Sequence, residues 1–254
     1  MEQRMTQSGP VRCTLLVCLA LAGALAAVGA AHAYTVSPPS NGGTISGKVT
    51  FDGPVPEVGT IKTTKNQDVC GKTIPDPSST VVDPKTHGVE WAVVAVEEVS
   101  QGKAPEKSYA LANKGCAFHP HVLAAMEGQT FELENKDPVL HNTHIRVGNR
   151  TLLNDALSFH EGDAMYHPIE DHRVLRRAGL LKVNCDAHEW MSGWIDVLPN
   201  PYFAVTDSTG AFEIKDVPPG TYTVKVWHEN LGETTQSVTV TAGGTAKLDA
   251  TLKK

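Results

Sequence analysis

The chain is short of basic charge. Its 254 residues hold 22 Lys and Arg against 28 Asp and Glu, a formal net charge of −6. Phosphate binding needs a basic surface, so nucleic acid is excluded as the main partner. Aromatic residues are scarce, at 6%, yet charged residues reach only 20%, too few for a disordered polyelectrolyte. There is no phosphate-cradling Gly loop, no strained Gly-x-Ser-x-Gly turn with a Ser-His-Asp order and no zinc-protease helix motif. Past residue 33 no stretch is apolar enough to cross a bilayer. Cysteine is sparse, at five.

What is present begins with a targeting pattern. Arg4 and Arg12 precede an apolar stretch from Leu15 to about Gly29, and Ala31-His32-Ala33 offers the small residues a signal peptidase reads. A signal peptide over 1–33, cleaved after Ala33, is therefore expected. The alternative is a retained anchor, for which the apolar run is short. Cys18 follows Leu16-Val17 and lacks the small residue usual before a lipidated cysteine, so no lipoprotein is expected. The mature protein should be periplasmic or otherwise exported. Losing Arg4, Arg12 and Glu2 takes its formal charge from −6 to −7.

Cys13 and Cys18 leave with the leader, and Cys70, Cys116 and Cys185 remain. An odd count in an exported chain leaves one thiol to explain. Cys70 and Cys116 can pair in an oxidising compartment, which would leave Cys185 free. The alternative is a disulfide through Cys185 and a free thiol elsewhere.

Residues 34–42 are rich in Ser, Pro and Gly and read as a linker. Strand patterns follow at Gly43–Val49, Trp91–Val99, His121–Ala125, Thr130–Glu134, Leu180–Asn184 and Gly193–Leu198, with turns at Asp52-Gly53-Pro54 and Glu127-Gly128. Short strands at this spacing predict an all-β fold built on a β-sandwich. The one helix-like stretch is Ala164–Ala178. Pro199-Asn200-Pro201 marks a boundary. Beyond it, Ala204–Asp207, Phe212–Ile214, Tyr222–Val226, Ser237–Val240 and Ala246–Leu252 alternate around a Pro218-Pro219-Gly220 turn. The runs Val205–Ile214 and Val217–Val224 resemble the carboxypeptidase regulatory-like domain, a small transthyretin-like sandwich without peptidase activity. Gly43–Val49 looks like the first strand of such a module, which would make the intervening region an insertion.

The most specific pattern is Cys185-Asp-Ala-His188-Glu-Trp-Met191, where cysteine, histidine and methionine fall three apart. Upstream stands Asp137-Pro138-Val-Leu-His141-Asn142. One thiolate, two imidazoles and a thioether suit an ion that cycles between cuprous and cupric states. Both segments resemble the plastocyanin and amicyanin branch of the cupredoxins, and the short gap before Met191 is similar to the amicyanin loop. The resemblance implies a Greek-key sandwich and one type 1 copper on His141, Cys185, His188 and Met191. It also implies that Asn142 ties the two ligand loops together, that the chain transfers electrons by an outer-sphere route, and that a cytochrome or dehydrogenase is its partner. The expected organisation is a cupredoxin-like domain over 43–198, with 43–56 open to membership of the second sandwich, and a regulatory-like domain over 199–254.

Other readings stay open at this point. The same ligands would serve copper storage or delivery, or an accessory scaffold. An enzyme of the nitrite-reductase kind would need a second copper, for which His119, His121 and His144 are candidates, so no catalytic residue is assigned. A binuclear copper centre would need a second nearby cysteine, and none is present. The 144–180 stretch is long for a small cupredoxin, and its His160, His167 and His172 have no assigned role. His228 reads as a partly buried strand-end histidine, and Trp190 and Trp194 as core residues flanking the ligand loop.

Overall fold

The computed structural model describes residues 34–159 and 169–254. The leader and its cleavage site, and His160, Glu161, Asp163 and His167, lie outside them. The described residues form an all-β protein of two sandwiches. None of their helices is long and apolar enough to cross a membrane.

One sandwich draws on both ends of the described chain. Its first sheet runs Phe203–Val205, Val93–Val96, Gly220–His228, Gly232–Val240. Its second runs Ala211–Val217, Gly43–Phe51, Thr245–Lys247, with Ala250–Leu252 also on Gly43–Phe51. The alternating patterns seen in the sequence become the alternating burial of these strands, with Ile45, Val49, Phe212, Ile214, Val224 and Val226 turned into one core. Of the expected 43–198 span, 43–56 is the part left open to either sandwich, and the correction falls on Val93–Val96. Gly43–Phe51 and Val93–Val96 pair with strands that follow residue 199, and the intervening sandwich is inserted after Val93–Val96.

The inserted sandwich has a four-stranded sheet, Ile169–Asp171, Thr130–Asn135, Ser108–Lys114, Ala117–His119. Facing it are five strands, Arg150–Leu157, His141–Val147, Gly179–Asn184, Ser192–Leu198, Val122–Met126. Leu111, Phe131, Leu133, Ile145, Val183 and Ile195 fill the space between. The long 144–180 stretch supplies an edge strand to each sheet, Arg150–Leu157 and Ile169–Asp171. No helix forms over 169–178: that part holds the second edge strand and a single 3₁₀ turn, Val174–Arg176. Asp171 accepts the N–H groups of Arg173 and Val174, and this local bond satisfies the backbone without an α-helix.

Val93–Val96 is buried on both faces. Val94 and Val96 enter the core of the first sandwich, while Val93 and Ala95 meet Val122, Ala124 and Leu198 of the inserted sandwich. An uninterrupted apolar run suits a strand covered on both sides. Trp194 and Trp227 cross the same contact edge to face, with centroids 5.7 Å apart. Glu229 binds it further. Its carboxylate takes the Trp194 Nε1–H at 2.5 Å and is hydrogen-bonded to His121.

Asp196 lies on the same strand, 6% exposed. Burial raises its pKa, Lys225 offsets this only in part, and Glu233 adds to it. A raised carboxyl contributes fully below its unfolded pKa and loses that contribution as pH climbs through the folded value. Asp196→Asn should therefore raise stability by about 1 kcal/mol at neutral pH. Urea unfolding at several pH values checks this, and the gap to wild type should close toward pH 4.

Candidate metal centre

His141 opens the His141–Val147 strand directly after the Asp137-Pro138 turn, and it is fully buried. Its Nε2 lies 2.8 Å from the Asp137 carboxylate. Asp137 also accepts the backbone N–H groups of Gly115 at 2.7 Å and Cys116 at 2.8 Å. An ionised carboxylate only accepts, so Nε2 carries the proton and Nδ1 is the imidazole's other face. That Nδ1 is buried and has no hydrogen-bond partner, a cost that native interiors seldom carry without a ligand.

Cys185 and His188 stand on the loop between the Gly179–Asn184 and Ser192–Leu198 strands. The Met191 N–H donates to the His188 carbonyl at 2.9 Å and the Cys185 N–H to the Met191 carbonyl at 3.3 Å, which folds the loop back on itself. Cys185 is a free thiol, 2% exposed. Its sulfur accepts the N–H groups of Asn142 and His188, each at 3.3 Å. His188 Nδ1 is 3.8 Å from that sulfur, and His188 Nε2 donates to Asn66 Oδ1 at 3.0 Å. Both imidazoles thus have Nε2 occupied and Nδ1 available. Donor atoms of His141, Cys185 and His188 lie within 4.8 Å of one another. Met191, 1% exposed, packs in the same core.

The electrostatics match this arrangement. Burial opposes a charge on Cys185, but His141 and three backbone N–H groups outweigh it and lower the thiol. Burial likewise opposes the proton on His141, and the Asp137 carboxylate and Cys185 sulfur outweigh it and raise the group. Burial, the charge of His141 and Lys65 push His188 down to about 4, so it is a neutral imidazole at neutral pH. The set offers a thiol whose ionisation its surroundings favour, a neutral imidazole in His188 and a second imidazole, His141, with Nδ1 free of hydrogen bonds. Soft sulfur beside two nitrogens fits copper, and carboxylate-preferring ions would find no oxygen donor among these three.

Asn142 spans both segments. Its backbone N–H reaches Cys185, its side-chain oxygen accepts the Asp186 N–H at 2.9 Å, and its Nδ2 bonds Asn154. Cys70 and Cys116 form a disulfide. Trp190 donates to the Cys116 carbonyl at 3.2 Å and lays its ring 5.0 Å from that of His188. His144 turns away from the set, bonding Asp186 at 3.0 Å and Thr151 at 2.8 Å. His121 bonds Glu229 and the Ser192 carbonyl. Among the described residues, no group of three or more close metal donors includes His119, His121 or His144.

Two residues escaped the sequence reading. Asp137 stood in the quoted motif without a role. Asn66 carried no signal: it lies 122 residues from His188 and reaches it only because the Gln67–Cys70 turn is fastened to Cys116.

Residues 199–253 match the family model of the carboxypeptidase regulatory-like domain. No curated protein matches the chain. Among solved structures, a purple cupredoxin from Nitrosopumilus maritimus is 23% identical. It covers 35% of this chain and 98% of its own, with a TM-score of 0.29. Amicyanin from Paracoccus versutus is 16% identical over 37% of this chain and 85% of its own, with a TM-score of 0.29. A copper-containing nitrite reductase from Thermus scotoductus is 21% identical over 41% of this chain and 24% of its own, with a TM-score of 0.30. The chain is an all-β protein whose residues 199–253 match the carboxypeptidase regulatory-like domain, and that part completes its sandwich with Gly43–Phe51 and Val93–Val96.

Proposed function

We propose that the chain is an exported protein that binds one type 1 copper through His141 Nδ1, Cys185 Sγ, His188 Nδ1 and the Met191 thioether. Its role is one-electron transfer in a periplasmic redox system, without catalysis of its own. The observation that carries this reading is His141, a fully buried imidazole with Nε2 spent on Asp137 and Nδ1 left without a partner beside the one free cysteine of the described residues. Bound copper would supply reversible one-electron chemistry. The chain's own part is to hold two nitrogens and a thiolate in place and to exclude water: all three residues are at most 2% exposed. Side chains already fixed by hydrogen bonds need little rearrangement when charge changes.

On this reading the partner would dock at a cleft beside His188. His188 lines a cleft of about 440 Å³ with Lys65, Asn66 and Pro138, rimmed by Leu140 and Phe159. Leu140 is 48% and Phe159 39% exposed, an apolar rim of the kind that protein partners cover. A cytochrome or a dehydrogenase is the expected class of partner.

Copper-loaded protein should show a strong visible thiolate-to-copper band and one copper per chain by metal analysis. Cys185→Ser should remove the band and most of the affinity, and equal copper binding by that variant would sink the assignment. A reversible potential with fast electron exchange with a cytochrome supports transfer. Copper passing readily to an acceptor apoprotein, without such exchange, would replace it with delivery.

Asp137→Asn keeps a polar group beside Nε2 but removes the charge. Copper affinity should fall about 10- to 100-fold while the visible band survives, read by competition with a chromophoric chelator.

A further inference from the structure

A second cavity of about 440 Å³ lies on the Met191 side of the centre. One wall is the segment that links the first two strands of the regulatory-like sandwich, including Val58 and Ile74. Trp91 belongs to that same segment, and the other wall is built by Phe118, Trp190 and Met191 of the inserted sandwich. The space is a cleft open to solvent on one side, and at this size, with mostly apolar walls, it has the dimensions of a small-molecule site. Trp91 adds a second observation. It holds a left-handed backbone, φ 66°, which is strained for a bulky residue and persists only where its surroundings impose it. That backbone sets its ring against the cavity, edge-on to His121 with centroids 6.2 Å apart.

The chemistry of the lining narrows the occupant. Two indoles and a phenyl ring favour a flat aromatic body. His121 has both ring nitrogens spent, on the Ser192 carbonyl and Glu229, and serves as wall. Ser79 accepts the Gly59 N–H at 3.0 Å and keeps its own O–H to donate, and the His119 imidazole also borders the space. These groups suit one oxygen on the ligand. Asp76 and the exposed Lys114 also line the space and are of opposite sign; its remaining walls are mostly apolar and would leave a charged group poorly solvated.

We propose that this cavity binds a small, uncharged, planar aromatic molecule bearing a hydroxyl or carbonyl oxygen, of the phenol, naphthol or quinone class. The site stands on the cavity alone and holds whether or not copper is bound. Where copper is bound, Met191 is the wall shared by the two sites, so occupancy should perturb the visible spectrum.

The test is calorimetric titration of the metal-free protein with 2-naphthol. One saturable site is expected, with a Kd of about 10⁻⁴ M for a ligand of this size. Naphthalene should bind more weakly and 2-naphthoate at least tenfold more weakly. Ala117→Phe, which fills the space from a partly exposed wall position, should weaken binding at least tenfold. Val58, 46% exposed, provides a second filling variant, Val58→Phe, should the first fail to fold. No saturable binding up to about 10⁻³ M, undiminished binding in the folded filling variants, or equal binding of 2-naphthoate would each overturn the proposal. Copper affinity plays no part in these readouts, so failure of the copper reading would leave them unchanged.

Discussion

The Asp137 carboxylate is the contact on which the geometry of the site rests. One oxygen takes the Gly115 N–H, and the other takes the Cys116 N–H and faces His141 Nε2. Burial disfavours its charge, but the hydrogen bonds from His141, Cys116 and Gly115 prevail and lower its pKa. The same carboxylate therefore orients an imidazole and holds the turn that carries Cys116. Cys116 is bonded to Cys70, the end of the helical turn that begins after Asn66, and Asn66 receives His188 Nε2. Both histidines are aimed by one connected structure, although they stand on different segments. Charge-assisted hydrogen bonds and a covalent link make it stiff.

The regulatory-like domain is a structural participant in this arrangement. Val93–Val96 belongs to its sheet yet presents Val93 and Ala95 to the inserted sandwich. Glu229 is held at the same contact by His121 and Trp194, and Lys182 lies over the Trp194 ring at 4.3 Å. His121 and Trp194 are near neighbours in this contact through the Trp194 N–H to His121 carbonyl bond at 2.9 Å. Gly193 allows that approach, since a side chain there would come within 2.8 Å of the His121 oxygen. The strand that leaves the ligand loop is thus clamped to the second sandwich within a few residues of Met191.

How much of this was legible in the sequence follows from how local each feature is. The Cys185–Met191 loop and the Asp137–Asn142 turn are short segments whose residue types state their chemistry, and both appear side by side in the structure. The strands after residue 203 were legible because their inward residues are apolar and their turns carry Gly and Pro. His141–Val147 was harder to read as a strand. Its inward positions are His141, Thr143 and Ile145, so two of the three buried residues are polar and hide the alternation. Arg150–Leu157 is an edge strand with one covered face and little regular alternation. The helix expected at 164–178 failed, in its described part, because side-chain bonds from Asp171 and pairing with Thr130–Asn135 outweigh helix propensity. Asn66 was beyond any local pattern.

The two openings beside the centre meet different donors. The Leu140 and Phe159 cleft borders the buried His188, whereas the aromatic cavity abuts Met191. Were copper bound, His188 would hold it from the first side and the Met191 thioether from the second, supplying borderline nitrogen and soft sulfur. Hydrogen bonds fix the first: His188 Nε2 donates to Asn66, and the Lys65 ammonium donates to the Ala187 carbonyl at 3.1 Å. The second is governed by what surrounds the thioether. That surrounding includes Trp91 and Ile74, which come from the stretch between two regulatory-like strands and not from the inserted sandwich. The Met191 side is therefore walled in part by the module that the inserted sandwich interrupts, a contact made by the segment between two of that module's strands.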